Sequence, residues 1–188
     1  MISISRVWAM PNKNTFAVKP IGELIARYLK QLPYGATVVD PYANKCTIKS
    51  LTDRTDLRFI TNDINPQFDT DYHMDAIDFL SGLDTDSADL VLWDPPFSPR
   101  QVSECYKKFD KTVDMQTTQA SFWSKQKEEI SRITKADGLV IGCGWNSGGV
   151  GTKYGFDITE ILLVPHGGWH NDTIVTVSKN IRGRNNEN

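Results

Sequence analysis

Long apolar runs are missing from this chain of 188 residues. No stretch approaches the roughly 20 consecutive apolar residues that cross a bilayer as a helix. Residues 1–20 also lack the apolar core of a secretion signal, because Arg6, Asn12, Lys13, Asn14 and Lys19 interrupt it. The expected location is therefore the cytoplasm, with no membrane partner. Cysteine is scarce: Cys46, Cys105 and Cys143 are odd in number and widely spaced. That argues against a disulfide framework and supplies no metal-ligand spacing. His166, His170 and Asp172 lie close together, but they read as a polar hairpin turn, and no metal is expected. A positive excess is missing too, with a net charge of −2 and a pI near 5.9. Composition alone thus does not advertise a nucleic-acid partner, although a local basic rim can act while the far face stays acidic.

What is present is ordinary globular composition, 39% apolar and 23% charged, enough to bury a core within one domain spanning 1–188. Residues 1–19 read as extended and mixed, and 181–188 as a polar flexible tail. The apolar positions Ile21, Leu24, Ile25, Tyr28, Leu29 and Leu32 fall on one face of a helix that Pro33 and Gly35 stop. Strands are expected at 36–40, 57–62, 88–93, 139–145, 157–164 and 172–179, with a weak one near 72–75. Helices are expected at 118–134, more briefly at 76–82, and less clearly around 45–53. Residues 98–116 read as a polar stretch. Alternating strands and helices with a terminal strand pair predict an α/β, doubly wound sheet.

The most informative feature is Asp94-Pro95-Pro96-Phe97, directly after the apolar run 88–93. Neither proline can donate a ladder hydrogen bond, so the strand stops abruptly. The corner is stiff and poor in donors, and it lies at the carboxyl end of a strand, where open α/β sheets bind ligands. A carboxylate, a free carbonyl and an aromatic ring suit a flat molecule with an exocyclic amine. Its NH2 would donate to Asp94 and to the Pro95 carbonyl, and its ring would stack on Phe97. Upstream, Asp40 ends one strand and Asp63 ends the next about twenty residues later, a spacing that presents a carboxylate to ribose hydroxyls. Asp75 follows a further short segment.

With these residues in place, the chain resembles S-adenosylmethionine-dependent amino-methyltransferases of DNA. Thr15 to Ile21 look like that family's motif X and Val38 to Thr47 like motif I. Asp63 and Asp75 match the acids of motifs II and III, and Asp94 to Phe97 match the catalytic motif IV. The resemblance reaches from about residue 8 to 179. Ser98 to Val102, Gly144 to Ser147 and Val164 to Gly168 look like the small phage and prophage adenine enzymes, which lack a separate target-recognition domain. Aspartate at position 94 favours adenine; the cytosine-N4 enzymes usually carry serine there. Where the family's motif I has two glycines, this chain has Asn44 and Cys46. Glycine allows positive φ, and asparagine is the most tolerant replacement, so Asn44 is expected in a left-handed conformation.

The resemblance implies a Rossmann-like sheet of seven strands in the order 3-2-1-4-5-7-6, with the last strand antiparallel. It also implies transfer of a methyl group from S-adenosyl-L-methionine to adenine N6 in DNA. Asp94, Pro95, Pro96 and Phe97 would form the catalytic corner. Asp63 would hold the ribose and Ile64 would pack on the cofactor's adenine. Asp75 would accept from the adenine amine, with Phe16 or Ala76 against the ring. Asp40, Tyr42 and Asn44 would border the methionine end. Ser98, Arg100, Lys107, Lys108 and Asn146 are candidate DNA contacts, joined by Lys111 with Tyr106 and Phe109 between. Gly144, Trp145 and Asn146 are expected to face the same cleft, with core as the alternative for Trp145 and Asn146 as the better site candidate. Specific DNA complexes bury ~1,000 Å2 or more of protein, which motivates a homodimer. RNA-adenine methylation and a catalytically silent nucleic-acid-binding relative stay open as alternatives. Glutamine modification is disfavoured, because that family usually carries asparagine at the corner.

Overall fold

A computed structural model describes residues 1–108 and 120–182, and the side chains among them except those of 99, 105–108 and 120–122. In chain order the elements are β1 (Ser3–Arg6), α1 (Lys19–Gln31), β2 (Thr37–Asp40), β3 (Arg58–Thr61), α2 (Ala76–Ser81), β4 (Ala88–Trp93), α3 (Pro99–Lys108), α4 (Ala120–Ile133), β5 (Thr134–Gly144), β6 (Phe156–Val164) and β7 (Thr173–Asn180). Single turns of 3-10 helix occur at Thr15–Ala17, Thr47–Leu51 and Thr152–Tyr154. The expected helix around 45–53 is thus one such turn. Among the described residues, no helix is long and apolar enough to cross a membrane.

The strands form one seven-stranded sheet in the order β1-β6-β7-β5-β4-β2-β3. β7 runs antiparallel to β5 and β6, and the remaining neighbours pair in parallel. This is the expected doubly wound sheet with a reversed last strand, but its two edges differ from expectation. The segment near 72–75 makes one parallel bridge, Asn62 with Tyr72, and the seventh strand is instead β1, beside β6 at the far edge. Asp71 explains the first difference. Its carboxylate accepts from the Thr61 amide and the Thr61 hydroxyl, both at 2.8 Å, so a side chain takes a position that ladder bonds would use.

β2 and β4 are buried on both faces, as expected for parallel strands covered on both sides. Val38 and Leu90 pack with Ile21, Ile25 and Leu29 of α1. Val39 and Val91 pack on the opposite face with Leu80 of α2 and Ile130 and Ile133 of α4. α1 begins earlier than its apolar stripe because Pro20 fits the first helical turn. It ends at Gln31 because Leu32, before Pro33, is forced extended, with ψ 149°. α3 was not expected within the polar stretch, yet its start carries a legible signal. The Ser98 hydroxyl accepts from the Gln101 amide at 3.3 Å and Pro99 opens the helix, a pairing of cap and first-turn proline. β5 starts at Thr134, ahead of the expected 139, and a register shift against β4 absorbs Asp137 at φ 62°.

Asn62, 1% exposed, sets the loops above β2 and β3. Its side-chain amide donates to the carbonyls of Pro41 and Met74, each at 3.1 Å, and its oxygen accepts from the Met74 amide at 3.0 Å. Asn62→Ala removes these three bonds and strands buried partners, so it should destabilise the fold by roughly 2–4 kcal/mol. Urea unfolding of the variant against wild type measures this.

Candidate active site

The chain leaves β2 outward to β3 and returns to β4 on the other side, so the carboxyl ends of β2 and β4 form a topological switch point, the preferred ligand site of such sheets. Two carboxyl groups meet there. Asp40, at the end of β2, is fully buried. One oxygen accepts from the Tyr42 amide at 3.1 Å; the other has no hydrogen-bond partner among the described residues. Burial pushes its pKa well above the usual carboxylate range, and repulsion from Asp94 and Asp63 adds to the shift. Asp94 follows β4. Its Oδ1 is likewise buried without a partner among the described residues. Burial raises its pKa from 3.8 to about 6, against a lowering by the Thr15 hydroxyl that donates to it. Unpaired buried polar atoms are costly, and perturbed acids in a cleft mark functional sites.

The loop after β2 keeps the conformation of a glycine-rich turn without its glycines. Asn44 lies at φ 49°, as expected, and Cys46 joins it at φ 51°. The Cys46 thiol donates outward to the Asp69 carbonyl at 2.9 Å, and the Asn14 amide bonds the Thr47 hydroxyl. Asp63 braces this loop. Its two oxygens accept from the amides of Asn44, at 2.9 Å, and Asn65, at 2.8 Å. Partial burial nonetheless raises its pKa. Each oxygen keeps a lone pair for a further donor.

Other expected cofactor residues make contacts within the fold. Asp75 caps α2, accepting from the Ile77 amide at 2.9 Å, and Ala76 is buried behind it. Ile64 packs beside Val102 of α3. Phe16 is 3% exposed within the core on the α1 side. The Tyr42 hydroxyl donates to Gln126 of α4 at 2.8 Å.

The corner borders a cavity of about 520 Å3, lined by Trp93, Pro95, Phe97, Trp123, Lys127 and Trp145 among others. The Phe97 and Trp145 rings meet edge to face, 5.8 Å apart at 68°. The Pro96 carbonyl accepts from the Trp123 indole at 3.2 Å. The Trp93 indole donates at 2.9 Å to the same Gln126 oxygen that Tyr42 uses. Lys127 lies 5.5 Å from the Trp93 ring centre, and burial lowers its pKa. Gln126 and Lys127 were missed in the sequence, since a polar residue on the inner face of an amphipathic helix leaves no periodic signal; Thr15, in a 3-10 turn within the motif X segment, was not singled out. Trp145, for which core was the alternative, is 41% exposed and lines the cavity.

The candidate DNA contacts with described side chains are Ser98, Arg100 and Asn146. Ser98 caps α3, Arg100 pairs with Glu104 at 2.8 Å on an exposed face, and Asn146 accepts from the Gly148 amide at 3.0 Å while lining the cavity. The side chains of Tyr106, Lys107 and Lys108, and all of Phe109 and Lys111, lie outside the described residues. Among the described residues no group of three or more His, Cys, Asp or Glu side chains is placed to hold a metal.

No protein-family model matches the chain, and no curated protein does. Solved structures match along most of its length. The Escherichia coli protein yhhF, proposed as a methyltransferase, aligns with TM-score 0.59 at 10% identity, over 92% of this chain and 91% of its own. The 1,6-didemethyltoxoflavin-N1-methyltransferase of Burkholderia thailandensis, solved with S-adenosylhomocysteine bound, aligns with TM-score 0.58 at 12% identity, over 86% of this chain and 77% of its own. The precorrin-6y C5,15-methyltransferase of Geobacter metallireducens aligns with TM-score 0.56 at 12% identity, over 91% and 93%. The named substrates differ while the architecture is shared, and the chain therefore has the Rossmann-like fold found in S-adenosylmethionine-dependent methyltransferases.

Proposed function

We propose that this protein uses S-adenosylmethionine to methylate an exocyclic nucleobase amine, adenine N6 in DNA. The observation that carries the reading is the Asp94 oxygen, buried without a partner among the described residues and set in the chain between Trp93 and Pro95, both of which line the aromatic cavity. An ionised Asp94 accepts from the amine, and the Pro95 carbonyl stands beside it. Drawing the amine hydrogens towards these acceptors localises the nitrogen lone pair for attack. When bound, the cofactor supplies an electrophilic methyl on a sulfonium. Transfer of that methyl to the amine nitrogen would leave the bond pair on sulfur and one amine proton to be shed to solvent, while Asp94 and the Pro95 carbonyl hold the amine in place. Phe97 and Trp145 offer the π-faces that hold a base out of its stack.

The residues at the switch point fit this cofactor. Asp40 and Asp94 repel each other, and a cationic ligand relieves that repulsion. Asp63 has lone pairs left for ribose hydroxyls. Because Asn44 and Cys46 already hold the left-handed geometry, the loop needs no glycine to approach a ligand closely, which supports binding over a silent relative.

Asp63→Ala should weaken S-adenosylmethionine at least ~10-fold by removing charge-assisted acceptors, read by equilibrium dialysis. Equal affinity would place the cofactor elsewhere.

Asp94→Ala should cut methyl transfer to adenine in DNA by roughly 100-fold or more. In wild type the rate should climb with pH on a limb centred near the Asp94 pKa of about 6, then level off as the carboxylate stays ionised. Stability should show the opposite sign. A carboxyl whose folded pKa is raised from 3.8 to about 6 binds its proton more tightly when folded, so stability falls as pH rises across that interval. The isosteric Asp94→Asn should therefore be more stable than wild type above that interval by roughly 1–3 kcal/mol, and the advantage should vanish below it. Denaturation at both ends of the range checks this, and a pH-independent difference would remove the assigned shift.

A further inference from the structure

A second groove, of about 420 Å3, lies on the other side of the Phe97–Trp145 pair. It runs between residues 11–15, Gln101 and the stretch 166–173, from the β6–β7 connection to the first residue of β7. Its walls are stitched to the sheet edge. The amides of Val7 and Ala9 donate to the carbonyls of Leu163 and Pro165. Buried His166 bonds the Ala9 carbonyl at 2.8 Å and the Thr173 hydroxyl at 2.9 Å. The N-terminal segment is therefore a fixed wall of the groove.

Three features of this face point to one kind of ligand. Trp169 on its wall is fully exposed, Trp8 nearby is 59% exposed and Trp145 is 41% exposed. Such π-faces are wasted on solvent and on duplex DNA, whose stacked bases present edges. Lys13 lines the groove, and among the described residues no carboxylate does, so it favours an anionic backbone despite the chain's net charge of −2. The groove is also continuous with the catalytic corner. Phe97 and Trp145 line both cavities, and Thr15, on the groove wall, donates to Asp94.

We propose that this groove seats unpaired DNA flanking the target nucleotide, with Trp169 as a stacking platform and Lys13 on the phosphates. The proposal rests on reading the Asp94 corner as a DNA-modifying site. It assigns strand choice to the β6–β7 connection and the N-terminal segment, and makes single-stranded DNA the preferred substrate.

Fluorescence anisotropy with a short unstructured labelled strand and its duplex, run beside a methyl-transfer assay on the same strand, tests it. Trp169 is fully exposed, so Trp169→Ala leaves the fold intact. The single strand should bind wild type more tightly than the duplex. Trp169→Ala should weaken strand binding roughly fivefold or more with the salt dependence unchanged. Lys13→Ala should lower the slope of log affinity against log salt by about 0.7. Equal binding of strand and duplex, no strand binding by wild type, or unchanged binding by both variants would each overturn the groove assignment. Methyl transfer that persists with unchanged variant binding would remove the groove and leave the Asp94 reading. The expected binding losses without any transfer would keep the groove and remove the Asp94 reading.

Discussion

Two acidic side chains held together in a dry place govern the architecture of this molecule's active end. Asp40 and Asp94 terminate adjacent parallel strands, each with a buried oxygen that no described residue satisfies. Isolated buried charge is expensive, and both groups respond by an upward pKa shift. The sheet tolerates this because β2 and β4 are buried on both faces and cannot shift to expose the pair. The cost is placed where the chain reverses direction across the sheet, the one location where a ligand can reach both strand ends.

The surrounding loops serve that pair. Asn62 ties the ends of β2 and β3 to the segment that leads into α2. Asp63 holds the turn after β2 through the Asn44 amide. Gln126 reaches up from α4 to hold Tyr42 after β2 and Trp93 at the end of β4 through one oxygen. A buried amide thus links the two acidic strand ends from below. These are hydrogen bonds between side chains and loops, and they fix geometry that strand pairing alone does not set.

Much of the frame was legible in the sequence. β-branched runs ending in Asp40, Asp63 and Asp94, and the double proline after β4, announce parallel strands with a loaded carboxyl edge. The left-handed Asn44 was legible because few residues accept positive φ; Cys46 in the same conformation was not, since nothing in its chemistry signals it. The edges of the sheet were harder. Segment 72–75 has strand-like residues, but Asp71 occupies the edge of β3 with a side chain, and periodicity does not register such a substitution. β1 consists of four exposed residues, so it lacks the alternation that identifies strands. Asp75 caps α2 and Phe16 lies in the core, contacts that motif matching does not announce. A motif names a position, and the local hydrogen bonds decide what the side chain touches.

The central claim is that the Asp40–Asp94 pair is built to receive a cationic methyl donor. Calorimetric titration of the wild-type protein with S-adenosylmethionine and with S-adenosylhomocysteine, on either side of the Asp94 pKa of about 6 and in buffers of different ionisation heat, tests it most directly. A cation beside the pair favours the ionised carboxyls. The account therefore predicts that S-adenosylmethionine binds more weakly below that pH and releases protons on binding there, and that S-adenosylhomocysteine, without the sulfonium charge, shows a smaller pH dependence. Binding of both with the same pH dependence, or no binding of either, would contradict it.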